Sequence, residues 1–174
     1  WKEELEPFWR DAGSLAADHG VKIAIEMHHG MAVYNTRSLL RLREIAGDVL
    51  GANLDPSHLW PQGMDPVAVV NGLADCIWHV HAKDTGIDPN ETALNGLLEV
   101  RSFEESFDRS WSFRAVGYGH DELWWRGFVS ALRATGYDGV LSIEHEDVWM
   151  SYREGLEKSA DLLQSVLLKT TRDW

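Results

Sequence analysis

The alternation of helical and extended segments constrains the fold of this chain more than any other feature of its sequence. Short β-branched runs predict strands over residues 21–28, 49–55, 76–83 and 139–145. Apolar residues at helical spacing predict helices over residues 3–19, 36–47 and 65–73, a fourth that begins at residue 121, and a long final helix through residue 167. Because strands that alternate with helices favour parallel pairing with crossover helices, the sequence predicts an α/β fold.

Side chains that cap helices mark the predicted helix starts. Thr36 is expected to cap the second helix, and Asp65, which is followed by proline, starts the third. Asp121 opens the fourth helix. The stretch from residue 85 to residue 120 is polar and aromatic without a clear period, so we expect a long loop there.

Side chains capable of chemistry follow all four predicted strands. They are Glu26 and His28, Asp55 and His58, His79, His81 and Lys83, and Glu144 and Glu146. In parallel α/β folds the carboxyl ends of the strands form the edge where ligands bind, and the long loop is expected to cover it. Four strands are half of the ~8 that close a barrel, so we expect a single domain over residues 1–174 that forms half of a TIM-type barrel.

One side chain from each strand, taken at similar depth and on one face, gives a four-residue constellation. Strand side chains alternate between faces, and this parity selects Glu26, Asp55, His81 and Glu144. Three carboxylates and one imidazole suit Mn²⁺, Mg²⁺ or Co²⁺, with Zn²⁺ as an alternative, and a divalent cation would offset the repulsion among the acids. For any one of these residues alone, the alternative is a strand-end side chain that hydrogen-bonds to a loop backbone. His145 has the opposite parity, so we expect it either to face a helix or to support a ligand residue, and not to bind the metal itself.

Composition excludes several kinds of partner. The 174 residues include 16 Lys and Arg against 28 Asp and Glu, which gives a formal net charge of −12. Such an acidic chain repels nucleic acid and anionic membrane surfaces, so we expect neither as a partner. No apolar run reaches the length of about 18 residues that a membrane span needs. The single cysteine, Cys76, is expected to be a buried thiol in a reducing compartment, in keeping with a cytoplasmic location.

Five short motifs follow one another along the chain. They are Ile25-Glu26-Met27-His28, Asn53-Leu54-Asp55-Pro56-Ser57-His58, His79-Val80-His81-Ala82-Lys83-Asp84, Gly117-Tyr118-Gly119-His120 and Ser142-Ile143-Glu144-His145-Glu146-Asp147. In this order they resemble the signatures of the xylose isomerase-like TIM-barrel superfamily, and most of all its sugar phosphate isomerase/epimerase group. The resemblance extends over nearly the whole chain. It implies the C-terminal half of the barrel, strands five to eight, with the N-terminal half absent.

The resemblance also implies a function and a set of roles. Glu26, Asp55, His81 and Glu144 match the family's metal ligands, and Glu26 and Glu144 also match its catalytic acid/base pair. The implied activity is that of a sugar isomerase or epimerase of carbohydrate metabolism that depends on a divalent metal, with Mn²⁺ expected first. Its substrate would be a small keto-sugar, sugar phosphate or polyol that loses a proton next to a carbonyl.

Other functions remain open on the same residues. Proton abstraction next to a carbonyl can also end in elimination, so a lyase, dehydratase or C-glycoside-cleaving enzyme is the first alternative. An apurinic endonuclease-like enzyme is a further alternative, which the acidic net charge disfavours. The last is a non-catalytic module that binds sugar or metal.

Two histidines near the constellation are candidates for substrate binding. His58 matches a family position that contacts substrate oxygens, and its alternative is a solvent-facing loop histidine. His28 shares a strand face with Glu26, where it binds substrate, acts as a base or orients the Glu26 carboxylate.

Two cations complete the set of substrate-binding candidates. Lys83 either faces the pocket or pairs with Asp84 or Glu146. The best-known epimerases of the family have an arginine shortly after the metal-binding histidine, and this chain has none there. Arg114 is the nearest candidate for that role, ahead of Arg101.

A sheet of four parallel strands has two open edges. Open edges pair with other strands, so we expect either a homo-oligomer or dependence on the absent N-terminal half. The other expected partner is a small carbohydrate substrate.

Overall fold

Strands and helices alternate along the chain in the computed structural model, which describes residues 1–170 apart from the side chains of residues 103 and 104. The helices are α1 (Leu5–Asp18), α2 (Thr36–Ala46), α3 (Pro66–Gly72), α4 (Pro89–Asn95), α5 (Glu122–Ala134) and α6 (Tyr152–Val166). The strands are β1 (Ile23–Glu26), β2 (Leu50–Leu54), β3 (Ile77–Ala82), β4 (Asp84–Ile87), β5 (Trp111–Arg114) and β6 (Leu141–Ile143).

Four of these strands form one parallel sheet in the order β1-β2-β3-β6. The register pairs Glu26 with Asn53 on β2, and it pairs His81 on β3 with Ser142 on β6. Since all four strands run in the same direction, their carboxyl ends meet at one edge of the sheet. This arrangement confirms the predicted α/β fold with four parallel strands.

The long loop expected over residues 85–120 is wrong, because regular structure occupies much of that stretch. β4 and β5 pair as an antiparallel two-stranded sheet, in which Thr85 lies opposite Phe113 and Gly86 opposite Ser112. Helix α4 lies between them in the chain. Each of these strands has four residues, which is too short for a period of two to be visible in the sequence. Their stability comes from pairing with a distant segment, which sequence pattern alone does not show.

The expected cap of the second helix is also wrong by one residue. The N-cap is Asn35, whose side chain accepts a hydrogen bond from the Ser38 backbone N–H at 3.0 Å. In return, the Ser38 hydroxyl accepts from the Asn35 N–H at 3.0 Å. The reciprocal pair of Asn35 and Ser38 satisfies backbone N–H groups that have no partner within the helix. The cap therefore lies one position before Thr36, and Thr36 is the first helical residue.

The helices are amphipathic, and α6 shows the pattern most clearly. Its 15 residues bury Gly155, Ser159, Leu163 and Val166, which recur every three or four positions and so form one face. Among residues 1–170, no helix combines the length and the apolar character that crossing a bilayer requires.

The apolar core lies between the parallel sheet and the helices that cover it. Leu42 of α2, Leu54 of β2, Val80 of β3, and Trp125 and Phe128 of α5 are all fully buried in one cluster. Each such side chain contributes about 1.5–3 kcal/mol relative to an exposed position. This packing holds the strands, and hence their carboxyl ends, in a fixed relation.

A pair of helical glycines provides a test of this packing. Alanine at Gly13 in α1 would place its Cβ 2.0 Å from the Ala46 carbonyl oxygen of α2, whereas no described atom lies within 4 Å of a Cβ at Gly127 in α5. We expect Gly13→Ala to lower the free energy of unfolding by about 1–3 kcal/mol through overpacking. Gly127→Ala should raise it by about 0.5–1 kcal/mol, because alanine favours the helix. Urea denaturation of both variants measures this, and equal effects would contradict the close contact of α1 with α2.

Candidate metal centre

The carboxyl ends of the four parallel strands carry a cluster of three carboxylates and one imidazole. Each of Glu26, Asp55, His81 and Glu144 offers one ligand atom, and these atoms all lie within 4.8 Å of one another. His81 is at the centre of the cluster, with its Nδ1 at 2.8 Å from Glu26 Oε1, 3.2 Å from Glu144 Oε2 and 3.9 Å from Asp55 Oδ2. The four side chains selected by strand parity are therefore together, and their role as metal ligands stays a prediction.

The burial and the hydrogen bonds of the Asp55 carboxylate indicate that this cluster fits a cation. Its side chain is buried, and Oδ1 accepts a hydrogen bond from the Ser57 N–H at 2.8 Å. Its Oδ2 has no hydrogen-bond partner among the described residues, although the Lys83 Nζ is 3.4 Å away. Burial raises the pKa of Asp55 to about 6. A buried carboxylate oxygen without a hydrogen bond, close to three other ligand atoms, fits a divalent cation.

The two nitrogens of His81 have different surroundings. Nδ1 faces the carboxylates, whereas Nε2 lies 3.2 Å from Asn53 Nδ2 on the neighbouring strand. The hydrogen bond with Glu26 raises the pKa of His81 above its usual value. In this arrangement the Asn53 amide donates to Nε2, so Nδ1 carries the proton of the neutral ring and donates it to Glu26. For Nδ1 to bind a cation, its proton must leave and the Asn53 amide must turn its oxygen, which is buried without a partner among the described residues, toward an Nε2–H group.

Lys83 is a buried cation at the border of this centre. Its Nζ donates hydrogen bonds to Glu144 Oε2 at 2.8 Å and to Glu146 Oε2 at 3.0 Å. Burial alone would lower the pKa of Lys83, but Asp55 and these two glutamates raise it above its usual value. Pairing with Glu146 was one of the alternatives that the sequence left open, and the structure adds the bond to Glu144. The direct contact of Lys83 with substrate stays a prediction.

A group of three histidines lies beside the carboxylates. The rings of His28, His29 and His58 are stacked or tilted against one another, with centroids 4.0–5.4 Å apart. His58 is buried, so it is not the solvent-facing histidine that the sequence left open. Its Nε2 lies 3.5 Å from Asp55 Oδ2 and 3.6 Å from Glu26 Oε2. Burial lowers the pKa of His58 to about 2 and that of His29 to about 4, so both rings are neutral at pH 7.

Sequence reasoning missed His29. The residue lies in the turn after β1, where the alternation of strand faces no longer determines where a side chain points. The only signal was the adjacent pair His28-His29 at a strand end.

Arg114 lies at the end of β5 rather than in the carboxylate cluster. Its Nε donates to Asp147 Oδ2 at 3.0 Å, and its guanidinium lies 5.3 Å from the ring of Trp149. Asp147 therefore holds the Arg114 side chain, and the contact of Arg114 with substrate stays a prediction. His145, as its parity predicts, lies against a helix: its ring makes an edge contact with Tyr152 of α6, with centroids 5.0 Å apart.

A cavity of about 430 Å³ is formed mainly by the residues that follow Glu144 in the chain. It is lined by Phe113, His145, Glu146, Asp147, Val148, Met150 and Tyr152. Small-molecule sites are typically ~300–1,000 Å³ with mostly apolar walls and a few polar groups, and this cavity has that character. Glu146 links it to the centre through Lys83.

The raised pKa of Asp55 predicts how metal affinity depends on pH. Below a pKa of about 6, Asp55 binds a proton that a metal ion must displace, and the raised pKa of His81 adds to this competition. We expect Mn²⁺ affinity to fall by about tenfold or more between pH 7 and pH 5, and the part of the decrease that is due to His81 to begin at a higher pH than the part due to Asp55. Isothermal titration calorimetry at several pH values measures this, and a constant affinity down to pH 5 would exclude Asp55 from the binding site.

Comparison with known proteins places these features in a family. A family model described as the xylose isomerase-like TIM barrel matches residues 2–166. Among solved structures, the IolI protein with a bound zinc atom matches with a TM-score of 0.65 and 22% identity, over 95% of this chain and 56% of that chain. This structural similarity shows the fold.

Curated relatives match at the sequence level. YfiH of Bacillus subtilis (strain 168), an uncharacterised protein, is 39% identical over 168 residues, which are 96% of this chain and 54% of that protein. The rhizopine catabolism protein MocC of Rhizobium meliloti is 33% identical over 83% of this chain and 43% of its own length. An inosose dehydratase of Clostridium beijerinckii is 31% identical over 77% of this chain and 43% of its own length. The chain spans about half the length of the curated relatives it matches.

Proposed function

Because this chain belongs to the xylose isomerase-like TIM barrel family, we propose that it supplies the metal centre of an enzyme that removes a proton beside the carbonyl of a small keto-sugar or polyol-derived ketone. One observation carries the proposal. Glu26, Asp55, His81 and Glu144 converge within 4.8 Å, and the buried Asp55 contributes an oxygen that has no hydrogen bond to any described residue. Mn²⁺ is the metal we expect first, because three of the four ligands are carboxylates.

In this proposal the cation polarises the substrate, and Glu26 and Glu144 transfer the proton. A divalent cation held by the four residues would polarise the substrate carbonyl and acidify the neighbouring C–H bond. Glu26 and Glu144 come from the two outer strands of the parallel sheet and flank His81 at 2.8 Å and 3.2 Å. Two carboxylates on different sides of a substrate are able to remove a proton and return one.

The Lys83 ammonium favours the ionised form of Glu144, which is the form that accepts a proton. Burial alone would raise the pKa of Glu144, but the hydrogen bond from the Lys83 ammonium lowers it below its usual value. Glu144 is therefore ionised at neutral pH and able to accept a proton. The cation also limits repulsion among the acids, since it contacts Asp55, Glu144 and Glu146.

The proton that is removed has two possible outcomes, which define two candidate functions. Return of the proton to a sugar carbon gives an isomerase or epimerase, and the pair of flanking carboxylates supports this candidate. Loss of a neighbouring hydroxyl gives a dehydratase. The similarity to two clostridial inosose dehydratases and to one from Geobacillus thermodenitrificans, at 31–33% identity, supports the second candidate.

Incubation of the Mn²⁺-loaded protein with keto-sugars and inososes in deuterated water tests the proposal. Deuterium in the recovered sugar without loss of water identifies an isomerase or epimerase. Loss of water that forms an unsaturated ketone identifies a dehydratase. The ultraviolet absorbance of this ketone measures its formation. Protein stripped of metal by a chelator is the control. Absence of both exchange and elimination, with Mn²⁺ shown to be bound, would contradict the proposal.

A further inference from the structure

The three histidines beside the carboxylate centre form a separate group of potential ligands. His28, His29 and His58 each offer one ring nitrogen, and these nitrogens lie within 4.8 Å of one another. None of the three belongs to the four-residue centre. We propose that this trihistidine group is a second metal site, which takes a cation that prefers nitrogen ligands, such as Zn²⁺.

The hydrogen bonds of His28 leave one of its nitrogens free for a metal. Its Nδ1 lies 2.6 Å from the backbone carbonyl oxygen of His29. A carbonyl accepts hydrogen bonds only, so the proton of the neutral ring is on Nδ1 and the lone pair is on Nε2. A backbone carbonyl in this position is the usual partner of a metal-binding imidazole, because it fixes both tautomer and ring orientation.

His58 has a corresponding arrangement with the carboxylates. Its Nε2 lies near Asp55 Oδ2 and Glu26 Oε2, at 3.5 Å and 3.6 Å, and these acceptors favour the proton on Nε2. The lone pair is then on Nδ1, which is buried and has no hydrogen-bond partner in the part of the chain that the structure describes. His29 Nδ1 is buried in the same state. Two buried ring nitrogens without partners, next to a third that is free to bind, need an explanation, and a shared cation provides one.

The ring positions are close to those of three imidazoles on one ion. Imidazole nitrogens bind Zn²⁺ at about 2.0–2.1 Å, which places the ring centroids of neighbouring ligands roughly 5 Å apart. The centroids here are 4.4 Å apart for His28 and His29, 4.0 Å for His28 and His58, and 5.4 Å for His29 and His58. One ring nitrogen from each histidine also lies within 4.8 Å of the others, so side-chain rotations that turn these nitrogens toward one point would be needed to bind the ion.

The chemistry of the two groups predicts different metal preferences. Imidazole ligands suit Zn²⁺, Cu²⁺ and Ni²⁺, whereas carboxylates suit Mn²⁺ and Mg²⁺. Aromatic rings also shield the trihistidine group from water, since Trp111 makes an edge contact with His29 and Phe113 with His58. We therefore expect Mn²⁺ to occupy the carboxylate centre alone and Zn²⁺ to occupy both sites. This assignment makes His28 and His58 metal ligands. It replaces the substrate contact that the family resemblance implies for His58 and the substrate binding that the strand face allows for His28.

Metal stoichiometry of the full chain tests the second site. After equilibrium dialysis at pH 7.5 and elemental analysis, we expect one Mn²⁺ per chain in manganese and two Zn²⁺ per chain in zinc. His29→Gln should reduce zinc to one per chain and leave manganese at one, because His29 does not contact the four carboxylate-centre residues in the described hydrogen bonds and ion pairs. His19→Gln is the matched control, because His19 is exposed on the surface after α1, and it should retain both metals.

Cobalt spectroscopy adds a readout that does not depend on activity. The second equivalent of Co²⁺ should produce visible absorption bands of a site with three nitrogen ligands, and His29→Gln should abolish these bands only. A single Zn²⁺ per wild-type chain would overturn the proposal, and so would a second Zn²⁺ that His29→Gln and His28→Gln both leave in place. Retention of one Mn²⁺ in these experiments reports on the carboxylate centre, so failure of the trihistidine site is distinguishable from failure of the proposed function.

Discussion

Replacing Glu26 with glutamine is expected to lower turnover by at least about 10³-fold, within the range of about 10²–10⁴ that a positioned acid–base group contributes. The substitution keeps the shape of the side chain but removes its charge and its capacity to accept a proton. The substitution also weakens the metal site, because it removes the negative charge of one of the four candidate ligands. The Glu26 carboxylate lies 2.8 Å from His81 Nδ1 in the middle of the cluster. The rate of deuterium exchange into the active sugar or inosose, measured at saturating Mn²⁺, gives the effect on the proton-transfer step.

A surface glutamate provides the matched control for this experiment. Glu157 lies on the exposed side of α6, where it pairs with Arg153, and Glu157→Gln should retain the wild-type rate. A Glu26→Gln variant that binds Mn²⁺ and exchanges protons within about tenfold of the wild-type rate would show that Glu26 is not the acid or base.

Replacing Asp84 with alanine is expected to lower the free energy of unfolding by about 3–5 kcal/mol. Asp84, the first residue of β4, is fully buried, and its carboxylate accepts hydrogen bonds from the backbone N–H groups of Gly117, Gly119 and His120 at 2.9–3.1 Å. It also accepts from His120 Nδ1 at 2.8 Å and from Trp125 Nε1 at 3.2 Å. Removal of the carboxylate leaves the buried Trp125 N–H and the partly buried donors of Gly117, Gly119 and His120 without this acceptor, and each unsatisfied buried group costs about 1–3 kcal/mol.

Urea denaturation measures this loss, and Asp138 provides a control of the same residue type. Asp138 is almost fully exposed and pairs with Arg133 at 3.7 Å, so Asp138→Ala should change stability by less than about 1 kcal/mol. The Asp84→Ala variant should also disturb the segment that carries His120, whose ring stacks on Trp60 at 3.9 Å. A loss below about 1 kcal/mol for Asp84→Ala would mean that water or rearranged side chains satisfy these donors.

The residues of the centre were predictable because two simple periodicities determine where they lie. Alternation of faces along each strand and the parallel order of the strands select Glu26, Asp55, His81 and Glu144, and their ligand atoms lie within 4.8 Å of one another. Neither rule needs knowledge of the loops. The α/β fold was predictable for the same reason, since the spacing of apolar residues identifies the four parallel strands and the helices that alternate with them.

Contacts between distant segments were not predictable from the same rules. The pairing of β4 with β5 and the ion pair between Arg114 and Asp147 depend on how loops return to the sheet, which local pattern does not encode. His29 was missed because it lies past the end of β1, where strand parity no longer applies. Asp84 is part of a recognisable motif, yet the five hydrogen bonds that it accepts from four residues of the segment 117–125 become visible only in three dimensions.

Anomalous X-ray diffraction at the manganese edge, from crystals of this chain grown with Mn²⁺, is the most direct test of the metal centre. We expect one strong peak bounded by Glu26, Asp55, Glu144 and the Nδ1 atom of His81, at the carboxyl ends of the four parallel strands. A peak elsewhere, or none at a concentration where calorimetry shows saturation, would contradict the shared cation on which the proposed chemistry depends.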